Sequence, residues 1–169
     1  RRDLLPTDIA DELAKLQDQV PPFPGLEAKA IIEKSLKSTI EELFSDFEES
    51  PLASASVAQV HPATLKDGSE VVIKVIRPGI KSVIQKDLRL LASLAYLIEK
   101  IPDGKRLRAI EVVEDYRKTI LDELDLIREG SNAVTLRRNF ENSKMLYIPE
   151  IYWEYSNTQV LTMERIHGI

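Results

Sequence analysis

The sequence predicts an α+β fold, and three observations carry the prediction. Apolar side chains recur at helical spacing through the first part of the chain, two runs rich in β-branched residues flank Asp67-Gly68, and two more helical stripes precede a last pair of short apolar runs. The resulting order is helices, two strands, two helices, two strands, which suits a small antiparallel sheet covered by helices.

Each element follows from its residues. Thr7 or Asp8 caps a helix over 7–19 whose apolar positions are Ile9, Leu13, Leu16 and Val20, and Pro21-Pro22 stops it. After the Phe23-Pro24-Gly25 turn, Ala28, Ile31, Ile32 and Leu36 repeat the pattern, and a short helical turn follows around Ile40, Leu43 and Phe44. Residues 1–50 are therefore expected to form a helical extension, and 51–169 a second unit, because the character changes at Pro51. Val57–Leu65 and Glu70–Ile76 read as antiparallel strands joined through Lys66-Asp67-Gly68-Ser69, where Asp-Gly between apolar runs is a hairpin signal. Pro62 has no N–H to donate, so the first of these strands should have an edge or a bulge there. The second, Val71 to Ile76, is apolar on both faces and ends at Pro78-Gly79.

Ile80, Ile84, Leu88, Leu91, Ala95 and Ile98 form one helical stripe, ended by Pro102-Asp103-Gly104. Ile110, Val113, Tyr116, Ile120, Leu124 and Ile127 form another, in a single helix of about 30 residues. Tyr147–Trp153 and Gln159–Glu164 fit a last hairpin through Ser156-Asn157.

Composition narrows the function classes. The chain has 169 residues, 23 Lys and Arg against 28 Asp and Glu, two His and no Cys. A net charge of −5 argues against general nucleic-acid binding, which needs a basic face. Absence of Cys removes thiol catalysis and thiolate metal sites, and His61 and His167 are too far apart in sequence to suggest a zinc cluster, so no metal-ligating set is expected. The most apolar stretch, Leu90–Ile98, is far shorter than the ~20 residues a membrane-spanning helix needs. The chain opens on Arg1-Arg2-Asp3 without an initiator Met or a signal-peptide apolar region, so a fragment or a processed chain is expected.

Three features carry chemistry. Leu52, Ala53, Ser54, Ala55, Ser56, Val57, Ala58, Gln59 and Val60 have the spacing of the loop that protein kinases fold over nucleotide phosphates, with alanines in place of glycines. Small residues let backbone N–H groups come within hydrogen-bond distance of phosphate oxygens, although a plain helix–strand connector also favours them. Lys74, in Val-Val-Ile-Lys-Val, matches the kinase strand lysine. A buried lysine needs an anion, since an unpaired buried charge costs several kcal/mol, whereas a strand-edge lysine snorkels to water. The third feature is an acidic run: on one continuous helix Asp122, Asp125 and Glu129 share a face and Glu123 points away from Asp125. This is either a solvated face or the source of Lys74's partner, Glu129. If the pair is buried, Glu129→Ala strands a cation at about 3–5 kcal/mol. Lys105, Arg106 and Arg108 form a small basic cluster, either a solvated loop or a contact for an anionic membrane surface.

These residues resemble the UbiB family of atypical protein-kinase-like proteins of ubiquinone biosynthesis, its bacterial members above all. The resemblance rests on Leu52 to His61, Val71 to Gly79, Asp122 to Ala133 and Val160 to Gly168, and spans essentially the whole chain. It implies a protein-kinase-like N-terminal lobe, a small antiparallel sheet with a long helix of the kinase αC type, preceded by the rest of the family's K-x-G-Q extension. ATP with Mg2+ is the implied ligand: Ala53 through Val60 cover the phosphates, Ala55 shapes nucleotide preference, Lys74 meets the α/β-phosphates and Glu129 pairs with Lys74. Glu123 and Asp125 fall on the family's regulatory E-x-D motif, whose glutamate engages a lysine expected before Arg1. Met163 falls at the gatekeeper position, with the backbone of Glu164 and Ile166 toward the adenine. The catalytic and metal-binding aspartates are expected beyond Ile169. The resemblance further implies a parent protein at the cytoplasmic face of the bacterial inner membrane, held there by segments outside this chain, with quinone-biosynthesis proteins or lipid precursors as partners. A nucleotide-sensing scaffold without chemistry and an interaction module with a structural Lys74–Glu129 pair are the competing readings.

Overall fold

A computed structural model describes residues 21–102, 104–141, 143 and 146–167. The helix expected over 7–19 lies outside the described residues. The chain runs α1 (Gly25–Leu36), α2 (Ile40–Leu43), β1 (Phe44–Phe47), β2 (Ala53–Ser54), β3 (Ala58–Leu65), β4 (Glu70–Ile76), α3 (Ile80–Ile98), α4 (Ala109–Asp122), α5 (Leu126–Asn139) and β5 (Val160–Glu164), with 3-10 turns at Gly104–Leu107 and Trp153–Tyr155. The strands form one antiparallel sheet in the order β1-β3-β4-β5, with β2 also paired to β3.

The β3–β4 hairpin sets the register of the sheet. Gly68 takes φ +91 and the Asp67 carboxylate accepts from the Ser69 N–H at 2.8 Å, so the side chain closes the turn that the backbone opens. Lys74 stands opposite Val60 on β3 and Leu161 on β5. Directly opposed residues share a face, so these three project to the same side of the sheet.

Both faces of β4 are covered, as its uninterrupted apolar run requires. Val71, Ile73 and Val75 face α1 and α2, where they bury against Ala28, Ile32, Ile40 and Phe44. The opposite face carries Ile76 and packs with Ala58, Leu161 and Leu126 of α5. Ile32 and Ile73 are both fully buried, and each such side chain contributes about 1.5–3 kcal/mol relative to exposure. Thr39 anchors the start of α2 through a complete capping box with Glu42. Among the described residues no helix is long and apolar enough to cross a membrane.

Three expectations change. Residues 1–50 are not uniformly helical: Phe44–Phe47 is a strand paired with β3, and Phe44 belongs to the same core as Val71 and Ile73. The helical extension and the sheet thus share one interior over residues 23–47. The single long helix is two, α4 and α5, broken at 123–125, where Asp125 leaves helical geometry and its carboxylate accepts from the Ile127 N–H at 3.1 Å. Tyr147–Trp153 is not a strand. It runs alongside β5 with one bridge, Ile151 to Met163, and then turns into a 3-10 helix, while β5 takes its ladder from β4. The Pro62 expectation has a definite form: its carbonyl accepts from the Glu48 N–H at 3.0 Å, so its N-bearing side faces the gap where β3 changes partner from β1 to β2.

Candidate functional site

Lys74 emerges from the middle of β4 on the face covered by α5. Its ammonium donates to both carboxylate oxygens of Glu129, each at 2.7 Å. The side chains are 25% and 42% exposed, so this is a partly solvated pair rather than a buried one. Two neighbours fix α5 against the sheet. The Leu126 N–H donates to the Thr158 carbonyl, and Gly130 lies close under Trp153 and Leu161, where an added side chain would be crowded.

A cavity of about 550 Å3 opens beside the pair, lined by Val57, Lys74, Thr119, Asp122, Glu123, Arg128, Glu129 and Asn132. Its charged lining is two cations against three carboxylates. Asp122 and Arg128 pair across the α4–α5 break, which holds the end of one helix against the start of the next. The shared face expected for Asp122, Asp125 and Glu129 does not form, because the break separates the first from the other two. Glu123 lines this cavity, while Asp125 caps α5 and lines a second one of about 480 Å3 with Lys81, Gln85 and Gln159. The Glu123–Asp125 pair is thus divided between two environments.

The small-residue loop doubles back on itself. Leu52 donates to the Val60 carbonyl, Ala55 to the Ala58 carbonyl, and Ala53 and Ser54 pair with Val60 and Gln59, so Ala55, Ser56 and Val57 form the tip. Ala55 and Ser56 are exposed there, and Val57 reaches the Lys74 cavity. Val60 shares the face of Lys74, and Ala58 is buried beneath the loop against Ile76 and Leu126.

Gln59 departs from the expected arrangement. It is fully buried, and its carboxamide accepts from the Phe23 N–H at 3.1 Å and donates to the Phe23 carbonyl at 3.0 Å. Its side chain therefore serves the helical side of the sheet, because it alternates with Val60 along the strand. It also meets the His61 ring nitrogen Nε2 at 2.8 Å, and His61 Nδ1 lies 3.0 Å from the Glu48 carbonyl. With the Gln59 amide donating to Nε2, the proton sits on Nδ1 and His61 is neutral. Burial pushes His61 below its ordinary value, outweighing the Glu48 carbonyl that favours protonation. Between the ordinary value of about 6.5 and the lower folded one, the unfolded chain binds the extra proton, so stability is lost as pH falls through that window. Denaturant melts stepped downward through this range should show the loss, and His61→Gln should flatten it; an unchanged slope in the variant would contradict the assignment. Glu41, Asp67 and Glu70, held below the usual carboxylate range by hydrogen bonds to Lys29, Ser69 and His167 respectively, act at more acid pH.

Met163 stands opposite Val72, on the Lys74 face, and packs against the α5 core. The Glu164 N–H donates to the Glu150 carbonyl at 2.9 Å, and its carboxylate accepts from the Tyr147 hydroxyl at 2.6 Å, which raises the phenol above its ordinary value. Ile166 follows, half exposed.

Three features were not anticipated from the sequence: the Asp122–Arg128 pair, the Gly130 packing and the multiple contacts of Arg77. Arg128 and Gly130 lie within the motif Asp122 to Ala133, but their roles depend on the helix break, which no Pro or Gly announces. Arg77 lies within Val71 to Gly79.

A family model described as ABC1 atypical kinase-like domain matches residues 15–169. A protein of Aeromonas hydrophila described as "Probable protein kinase UbiB" is 63% identical over 171 residues, covering all of this chain and 31% of the relative. Proteins with the same description from Marinobacter nauticus and Pseudomonas aeruginosa are 60% and 58% identical, again over the whole chain and 31% and 32% of their own lengths. Among solved structures, that of Rv3197 from Mycobacterium tuberculosis, described as a complex with erythromycin, superposes with a TM-score of 0.67 at 25% identity over 99% of this chain and 42% of that one. The chain thus spans about a third of the length of the curated relatives it matches, and it belongs to the bacterial UbiB branch of the ABC1 atypical kinase-like family.

Proposed function

We propose that this chain forms the nucleotide-facing part of an atypical kinase or ATPase that binds ATP with Mg2+ and supports ubiquinone synthesis. The observation that carries the reading is the Lys74–Glu129 pair in the wall of a cavity beneath the small-residue loop. Its volume of about 550 Å3 falls within the usual range for small-molecule sites.

Each residue has a role in this reading. Glu129 holds the Lys74 ammonium at a fixed place on the cavity wall, ready for α/β-phosphate oxygens. The loop tip, Ala55 to Val57, lets its backbone come close to a phosphate chain. Met163, Glu164 and Ile166 lie on and beyond β5, where an adenine edge would run. Glu123 supplies a carboxylate at the cavity mouth, suited to a basic side chain of the E-x-D partner.

The charge balance bears on the cofactor. With three carboxylates to two cations, the cavity suits a nucleotide whose charge is already partly neutralised by Mg2+ better than free ATP. The groups that would hold Mg2+ are assigned mostly to parts of the protein outside this chain. Bound there, Mg2+ would supply charge neutralisation for the phosphates that Lys74 and the loop backbone hold. A place at the inner membrane, with quinone-biosynthesis proteins or lipid precursors as partners, goes with this reading.

Phosphate release from ATP by the full-length protein tests the proposal. Turnover above a heat-inactivated control is expected. ATP binding without turnover would favour a nucleotide-sensing scaffold, and neither binding nor turnover would contradict both.

A further inference from the structure

Arg77, the first residue after β4, makes more connections than a surface arginine needs. Its N–H donates to the Val57 carbonyl at 2.8 Å. Its Nη2 lies 3.1 Å from the Ser54 hydroxyl, 3.2 Å from the Ala55 carbonyl and 3.1 Å from the Pro21 carbonyl. Its guanidinium carbon sits 5.4 Å from the centre of the Phe23 ring. One residue thus holds the small-residue loop at Ser54 and Ala55 through its side chain and at Val57 through its backbone N–H, and the same side chain holds the segment that leads into α1.

That segment is held from a second direction, since the Phe23 backbone is bracketed by the buried Gln59 carboxamide, which His61 orients. Gln59 belongs to the strand that leaves the loop. Loop and segment are therefore joined at two points, one on each side of the loop tip.

The chemistry favours arginine over lysine at this place. All three side-chain contacts are made by Nη2, so what favours arginine is that its planar guanidinium also lies over the Phe23 ring, whereas an ammonium is a compact, strongly hydrated point charge with no planar face to stack. The Nε of Arg77 is buried with no hydrogen-bond partner among the described residues. The orientation is kept at the cost of desolvating that N–H, which points to the Nη2 and ring contacts as what selects it.

We propose that Arg77 is a positioning residue that fastens the small-residue loop to the Pro21–Phe23 segment, so that docking of the segment sets the shape of the loop and its affinity for nucleotide. The proposal deepens the nucleotide reading given above and rests on it. Anything that pulls on the chain before Pro21 is then felt at the loop through Arg77 and Gln59, without touching the cavity.

The test uses the full-length protein, Mg-ATP affinity by calorimetry and backbone hydrogen exchange. Arg77→Lys keeps the charge and loses the planar group that lies over Phe23, and should raise the Kd about tenfold and speed exchange over residues 54–58. Phe23→Leu removes the ring from beneath the guanidinium without altering any loop residue. It should move Kd and loop exchange in the same direction by a smaller factor, a result that a purely local role for Arg77 would not give. Wild-type affinity and loop exchange in both variants, while Lys74→Ala has lost ATP, overturns the proposal and leaves the nucleotide reading standing. Wild-type affinity in Lys74→Ala overturns the nucleotide reading, and the proposal with it.

Discussion

Lys74→Met is expected to weaken ATP binding by the full-length protein about 100-fold or more while changing its unfolding free energy by less than about 1 kcal/mol. The two effects separate because of where Lys74 lies. Its strand neighbours on the same face are Val72 and Ile76, so an unbranched apolar side chain fits the surface that the lysine stem now covers. The ion pair it gives up is 25% and 42% exposed, and a partly solvated pair contributes little to stability. Glu129→Ala should also be mild, near 1 kcal/mol rather than the 3–5 kcal/mol that a fully buried cation would lose, because Asp122 and Glu123 line the same cavity and water reaches the ammonium. Its ATP affinity should fall less than that of Lys74→Met, since the phosphate-binding charge remains and only its placement is lost. Denaturant unfolding and calorimetry on the same preparations read both effects. A Glu129→Ala loss above about 3 kcal/mol would show that the pair is sealed from water.

Gly130→Val should destabilise the protein by about 1–3 kcal/mol and weaken ATP binding as well. A side-chain carbon placed on Gly130 would lie 2.9 Å from Trp153 Cη2 and 3.0 Å from Leu161 Cδ1. Trp153 is 43% exposed and has room to yield, but Leu161 is 1% exposed inside the core and does not. Valine adds two methyl groups to that collision, so α5 must lift from β5, and Glu129, the preceding residue, moves with it. Gly130→Ala should be milder, because the gain in helix propensity of about 1 kcal/mol opposes the crowding. Thermal melts and ATP titrations of both variants check the order. A Gly130→Val protein as stable as the parent would mean that α5 does not bear on β5 as described.

Legibility in the sequence follows the range of the interactions. The β3–β4 hairpin was readable because Asp67-Gly68 carries a local turn signal and the flanking runs are β-branched. The pairing of Lys74 with Glu129, 55 residues apart, was readable only because both fall on a recurring motif. β1 was missed since Phe-Ser-Asp-Phe follows directly on a helical turn, and four residues offer too little alternation to signal a strand. The α4–α5 break is hidden because the apolar spacing continues through Leu124 and Ile127, while Asp125, which caps α5, sits in an acidic run that reads equally well as helix, and the Leu126 N–H finds its acceptor far along the chain at Thr158. Tyr147–Trp153 has strand-like residues, but Pro149 removes a donor and the neighbouring edge of β5 takes up only isolated contacts. Gln59 shows the opposite case. Strand alternation places it away from Lys74, and the motif alone had assigned it to the nucleotide side.

The measurement that bears most directly on the nucleotide site is hydrogen exchange of the full-length protein with and without Mg-ATP. Slowed exchange confined to the loop at 53–58, the middle of β4 around Lys74 and the stretch from Met163 to Ile166 is the expected result. ATP that binds and protects other parts of the protein, leaving these three segments unchanged, would contradict it.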